Sequence, residues 1–217
     1  MEDLLGSRSA FDRAESERGR LASVVLLVAL AVVAAGCRRM VLVDTAPLDS
    51  AGMNYDSIQQ LKALKITSQE VTELAKARLG GFQDRHCVEA TQILHGRAQT
   101  FAVGDAIAGL ARVGMGDDTI LELTKLNQLG LGAGELQAMR LAGLSDETIL
   151  EVARHHAEGK PVLSGASLAG MKNTGLREST LLELARRGVP NSQADAILSF
   201  RRHGANDATI LRRFASS

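Results

Sequence analysis

From Ile58 onward, apolar residues fall in pairs three apart, and each pair is followed by a polar break, usually built round a glycine. The pairs are Ile58 and Leu61, Ile107 and Leu110, Leu136 and Met139, Leu168 and Met171, and Ile197 and Phe200. Their spacing puts both members on one face of a helix. The clearest breaks begin at Gly114, Gly143, Gly175 and Gly204, which stand 29, 32 and 29 residues apart, and each runs on into an acid and then Thr-Ile-Leu or Thr-Leu-Leu. A fifth copy starts at Lys65, with Lys in place of Gly, and a degenerate one lies around Gly81-Phe82-Gln83-Asp84.

Each position of the break has a physical reason. Lys62, Arg140, Lys172 and Arg201 put positive charge in the last turn of the preceding helix, where the macrodipole is negative. The glycine suits the left-handed residue that closes a helix. Thr67, Gly116, Ser145 and Asn206 then fall at N-cap positions, with Arg177 the exception, and Asp117, Asp146, Glu178 and Asp207 open the following helix at its positive end. Thr67-Ser68-Gln69-Glu70 reads as a full capping box. The second helix carries its own apolar pairs: Val71 and Leu74, Ile120 and Leu123, Ile149 and Val152, Leu181 and Leu184, with Ile210 in the last copy.

The unit is a short helical hairpin with one apolar face, which it buries only by stacking on neighbours. Residues 55–217 therefore read as an all-α domain of tandem short hairpins, about ten or eleven helices, arranged as a right-handed solenoid or a compact bundle without a sheet. Joins fall at Gly130-Leu131-Gly132-Ala133, Glu158 to Pro161 and Gly188 to Asn191. Residues 39 to about 54 show no helical period and read as a tether.

Ahead of the tether, Leu21 to Gly36 is an uninterrupted apolar run of 16 residues, preceded by Arg18 and Arg20 and followed by Cys37, Arg38 and Arg39. It has the charged, apolar and small-residue plan of a secretory signal and falls short of the ~20 residues a spanning helix needs. The alternative is a retained single-pass anchor. The rest of the chain holds 21 basic and 20 acidic residues once the leader's 4 and 5 are taken from 25 and 25. That balance gives no broad electrostatic attraction to nucleic acid or anionic lipid. Aromatics at 3%, with no Trp, leave few stacking platforms for bases or sugars.

Ala34-Ala35-Gly36-Cys37 resembles the lipobox of bacterial lipoproteins, in which small residues precede an acceptor cysteine. The resemblance implies cleavage before Cys37, residues 1–36 being a signal peptide, and a diacylglyceryl thioether on Cys37 itself. Two or three acyl chains hold firmly where one is marginal. Arg38 rather than Asp after the acceptor implies, by the same resemblance, sorting to the outer membrane of a host with two membranes. The hairpins are similar to repeats of an uncharacterised bacterial envelope type, a resemblance that carries no activity with it.

The remaining chemical signals are weak. Cys87 has no partner once Cys37 is lipidated, and reads as a small buried apolar residue rather than a reactive thiol. His86, His95, His155, His156 and His203 show no metal-ligand spacing and read as exposed polar positions near helix ends. Glu73, Glu122, Glu151 and Glu183 could form a row for cations, but acids that are solvated, or that pair weakly with basic residues of adjacent hairpins, are the simpler reading. Gly130 to Gly134 mimics a dinucleotide fingerprint and Gly165 to Ala169 a nucleophile elbow, yet neither follows a strand.

Val113-Gly114-Met115-Gly116 and Leu129-Gly130-Leu131-Gly132 resemble the turn of helix-hairpin-helix DNA-binding proteins, but Asp117, Asp118 and Glu135 follow where a phosphate would want Lys or Arg. The expectation is thus a non-enzymatic envelope lipoprotein without cofactor or metal, anchored through Cys37, whose repeats bind or scaffold another protein and not nucleic acid. The alternatives are the helix-hairpin-helix nucleic-acid binder and an envelope enzyme accessory with its site assembled from distant residues.

Overall fold

The computed structural model describes residues 43–130 and 133–214. They form twelve α-helices and, among the described residues, no strand. In chain order these are α1 (Ala46–Ser50), α2 (Tyr55–Ala63), α3 (Ser68–Leu79), α4 (Asp84–Gly96), α5 (Gly104–Arg112), α6 (Asp117–Lys125), α7 (Ala133–Leu141), α8 (Asp146–Ala157), α9 (Gly165–Asn173), α10 (Glu178–Arg186), α11 (Ala194–Arg202) and α12 (Asp207–Phe214), with a 3₁₀ turn at Asn191–Gln193 before α11.

The helices pack in two layers. Odd-numbered helices stack each on the next, α1 on α3 and so on to α11, and even-numbered helices do the same from α2 to α12. Successive helices from α3 onward also touch within their hairpins. Packing between elements thus runs chiefly between neighbouring hairpins, as in a solenoid, rather than around one shared centre. The core follows as a continuous stripe, in which Ile58, Leu61, Leu74, Ile107, Leu110, Ile120, Leu123, Leu136, Met139, Ile149, Leu168, Met171, Leu181, Leu184 and Ile197 are all at most 2% exposed.

The register of the repeat differs from the expected one. The turns that join the two helices of a repeat are at Gly52, Gly81, Gly114, Gly143, Gly175 and Gly204, all with positive φ. The copy at Gly81 is therefore a full member, and Gly52 opens a further one. The Lys65 copy is not a member. Lys65, at φ 58°, closes α2 on the opposite edge, together with Ala98, Asn127, Gly159 and Gly188, which have φ between 55° and 66°. There the chain passes from one repeat to the next. Six repeats result: α1/α2, α3/α4, α5/α6, α7/α8, α9/α10 and α11/α12.

The expected boundary at residue 55 moves accordingly. Residues 46–50, expected in the tether, form α1, and Leu48 and Met53 are buried at 0% and 5% exposure. The folded unit extends from Val43. One turn of helix with a single buried apolar residue has no period to detect, which is why the stretch reads as irregular.

One further departure and one close contact concern single positions. Phe200, expected to be buried with Ile197, is 40% exposed and stacks edge-to-face on Phe214, with ring centroids 5.3 Å apart. Gly104 sits where α5 meets the backbone of α3 so closely that a β-carbon there would lie 2.0 Å from the Glu73 carbonyl oxygen.

Candidate functional site

The polar chemistry of the chain concentrates along the edge formed by the six glycine turns. In each repeat after the first, the acid three residues past the glycine reaches back to the preceding repeat. Asp84 accepts from the Asn54 backbone N–H at 2.8 Å and from its side-chain amide at 2.6 Å. Asp117 accepts from Gln83 N–H at 3.2 Å, Asp146 from Gly116 N–H at 3.3 Å, Glu178 from Ser145 N–H at 3.0 Å, and Asp207 from Arg177 N–H at 2.9 Å. Each donor is the N-cap amide that its own helix leaves unpaired.

A second donor joins from the same repeat, three residues later. The hydroxyls of Thr119, Thr148 and Thr180 donate to Asp146, Glu178 and Asp207 at 2.8, 2.6 and 2.7 Å. Bases six residues ahead of the acids complete the array: Arg78 with Asp84 at 2.5 Å, Arg140 with Asp146 at 3.3 Å, Lys172 with Glu178 at 2.8 Å and Arg201 with Asp207 at 3.3 Å. Arg140 and Arg201 also donate to the turn carbonyls of Gly114 and Gly175 in the preceding repeat. The acids were expected to satisfy their own helix ends. They instead tie neighbouring repeats together.

One joint, between the second and third repeats, departs from the array in two linked ways. Ala111 stands where the others have Arg or Lys, and His86 stands where they have Thr or Ser. His86 Nδ1 lies 3.1 Å from Asp117 and Nε2 3.3 Å from Asp118, so an imidazole meets both acids of the repeat that lacks the base. His86 is 3% exposed, not the exposed polar position expected from sequence.

The electrostatics follow from these partners. Burial is the largest influence on Glu178 and pushes its pKa up, but the Lys172 ammonium and the bonds from Thr148 and Ser145 together hold it at about 2. Asp207 is likewise held below its ordinary range, with the bonds from Arg177 and Thr180 outweighing burial. On the opposite edge Glu70 is 1% exposed. It closes the capping box with Thr67 and accepts from Phe101 N–H at 2.9 Å, while His95 Nε2 stands 2.7 Å away. These bonds outweigh burial and lower its pKa.

The other sequence candidates disperse. Cys37 lies outside the described residues. Cys87 is fully buried, and desolvation pushes its thiol up to about 12, as a core residue rather than a nucleophile requires. Glu73 is on α3 while Glu122, Glu151 and Glu183 are on even-numbered helices, so the four form no single row. Their ion pairs are with Lys76, Lys125, Arg154 and Arg187, three or four residues along the chain, rather than with bases of adjacent hairpins, and Glu73 also accepts from the Gly104 N–H of the next repeat.

His155 lies 3.5 Å from Glu151, its side chain only 12% exposed, and His156 Nδ1 lies 3.0 Å from Gln128 Oε1. His203 is exposed, as expected. Gly165 begins α9 behind a Ser164 cap, as a helix start rather than a nucleophile turn. Among the described residues no group of three or more His, Cys, Asp or Glu is placed to hold a metal ion.

Two concavities lie on the surface of the folded unit. A cleft of about 220 Å³ opens between α7, α8 and the segment before α9, lined by Leu136, Met139, Val152, His156, Val162 and Leu163. Asn191 at its rim already accepts from the Ser164 N–H and the Ser167 hydroxyl. A shallower depression of about 340 Å³ lies over Asn54, Arg78 and Asp84, where the Arg78 and Asp84 charges pair with each other. Comparison with known protein families, with curated proteins and with solved structures finds no match.

Proposed function

We propose that the chain is a non-enzymatic lipoprotein of the bacterial cell envelope, anchored by lipid on Cys37, whose helical repeats serve as a protein-binding scaffold. One observation supports the scaffold most directly. The side chains that carry chemistry along the turn edge, namely Asp84, Asp117, Asp146, Glu178, Asp207 and His86, are engaged in bonds between repeats. Their arrangement builds a stack, and stacks of this kind present extended surfaces to partners.

Exposed apolar residues recur on that surface at one repeat position, with Leu79 at 68% and Leu141 at 73%, each two residues before its turn glycine. Nucleic acid is not the expected partner. The Gly116 N–H, which a helix-hairpin-helix turn would offer to a phosphate, already donates to the Asp146 carboxylate. The anchor rests on Leu21 to Cys37 and its lipobox. With the folded unit beginning at Val43, the linker from Cys37 shortens to the five residues 38–42. No helix among the described residues is long and apolar enough to cross a membrane.

Mass spectrometry of the mature N-terminus from a bacterial host tests the reading. A diacylated Cys37 as first residue is the expected result, and Cys37→Ala should leave an unacylated precursor, since the thioether requires that sulfur. An unmodified peptide running through residues 30–40 of the wild-type chain would overturn the lipoprotein.

A further inference from the structure

Among the described residues the array on the glycine-turn edge closes five joints, and in the sixth repeat its donors are presented. In the first five repeats the residue five past the turn glycine is buried: Ser57, His86, Thr119, Thr148 and Thr180 are all at most 7% exposed. The residue four before the glycine is buried too: Leu48, Ala77, Leu110, Met139 and Met171 are all at most 1% exposed. In the sixth repeat the same two positions, Thr209 and Phe200, are exposed. The Thr209 hydroxyl donates to the Asn206 side chain of its own cap, and among the described residues there is no seventh acid for the Asn206 N–H. Across residues 194–214 Arg201 is paired with Asp207, and Arg202 and Arg213 outnumber Asp195.

We propose that this face of the sixth repeat is a docking surface for an acidic helical hairpin of a partner protein. The hairpin would place a first-turn Asp or Glu against the Asn206 N–H and the Thr209 hydroxyl and lay an apolar side chain over Phe200. The five joints within the chain define that occupant, because each is closed by a carboxylate on an N-cap amide and, in three, on a threonine hydroxyl. The excess of arginine selects for acidic character. A second copy of this chain does not supply the missing acid at its own first repeat, where Tyr55 occupies the position of Asp84 and is 72% exposed. The inference rests on the scaffold reading but is independent of the anchor.

The test places a photo-cross-linking amino acid at position 200 in the full chain, and separately at 79 and 141, in cells producing it. Cross-linked peptides are then sequenced by mass spectrometry. The expected result at position 200 is a protein adduct on an acidic helical segment. Its yield should fall about tenfold in Thr209→Val, the loss expected from one charge-assisted hydrogen bond. Circular dichroism of Thr209→Val should match the wild type, since Thr209 makes no bond to another repeat.

Adducts at 79 and 141 but none at 200 would overturn this inference and leave the scaffold standing, whereas none at any position would count against both. Adducts at 200 mapping to lipid, to a second copy or to residues 1–42 of the same chain would also overturn it, as would a yield unchanged by Thr209→Val. Binding to phosphatidylglycerol vesicles that is lost in Phe200→Ala would assign the face to a membrane instead.

Discussion

At the scale of the residue, the turn glycines and the array acids make opposite demands on the solvent. Gly143 and Gly175 hold φ of 78° and 85°, which a β-branched side chain resists, so Gly143→Val or Gly175→Val should cost about 1–2 kcal/mol in denaturant melts. Gly134 lies inside α7 with nothing within 4 Å of an added β-carbon, and Gly134→Ala should leave the melt unchanged or slightly raised. The acids respond to pH. Glu178 is held near 2 in the folded chain against an ordinary value of 4.5, so its contribution is fully present above the unfolded value and fades as pH falls from about 5 toward 2. Replacing it in Glu178→Gln should lower stability at pH 7 and flatten the acid limb of a stability profile over that window. An acid limb identical to the wild type would show that the carboxylate is not held by Lys172, Ser145 and Thr148 as described.

At the scale of the element, the close approach of α3 and α5 is the tightest demand. A β-carbon at Gly104 would overlap the Glu73 backbone, so Gly104→Ala should cost about 1–3 kcal/mol, while Gly170→Ala, inside α9 with open space around it, should be tolerated. Thermal melts of the two variants check the pair. The sequence showed helices, caps and buried faces because these depend on local periodicity and on the chemistry of unpaired amides. Thr67, Ser145 and Asn206 cap as read, each bonding an amide of its own first turn. It did not show which turns are equivalent. A helix closes and the next opens by the same chemistry on both edges of the stack, so Lys65-Ile66-Thr67 and Gly143-Leu144-Ser145 look alike although one passes between repeats and the other joins a hairpin. Gly81 was faint because Gln83 offers no side-chain cap and His86 replaces the usual threonine. The array was also out of sight, since its bonds between repeats join residues 26 to 34 apart and its logic is visible only when hairpins are laid side by side.

At the scale of the whole folded unit, stacking by nearest neighbours makes stability a property of joints rather than of one core. A defect in the last repeat has one neighbour to weaken, and a defect in the third has two. Ile120 and Ile210 hold the same position in repeats three and six, and both are 0% exposed, so truncation to Ala removes the same atoms from a buried site, at about 2–5 kcal/mol. The consequences should differ in extent. Native-state hydrogen exchange of Ile210→Ala should show protection lost in α11 and α12 and retained from α3 to α8, because Ile210 lies beyond the joints that hold those helices. Ile120→Ala should instead lower protection in α4, α6 and α8 together, since α6 packs on both of its layer neighbours. Equal loss of protection across all twelve helices in both variants would mean that the unit unfolds as a single cooperative body, and that the bonds between repeats couple the stack more strongly than its topology implies.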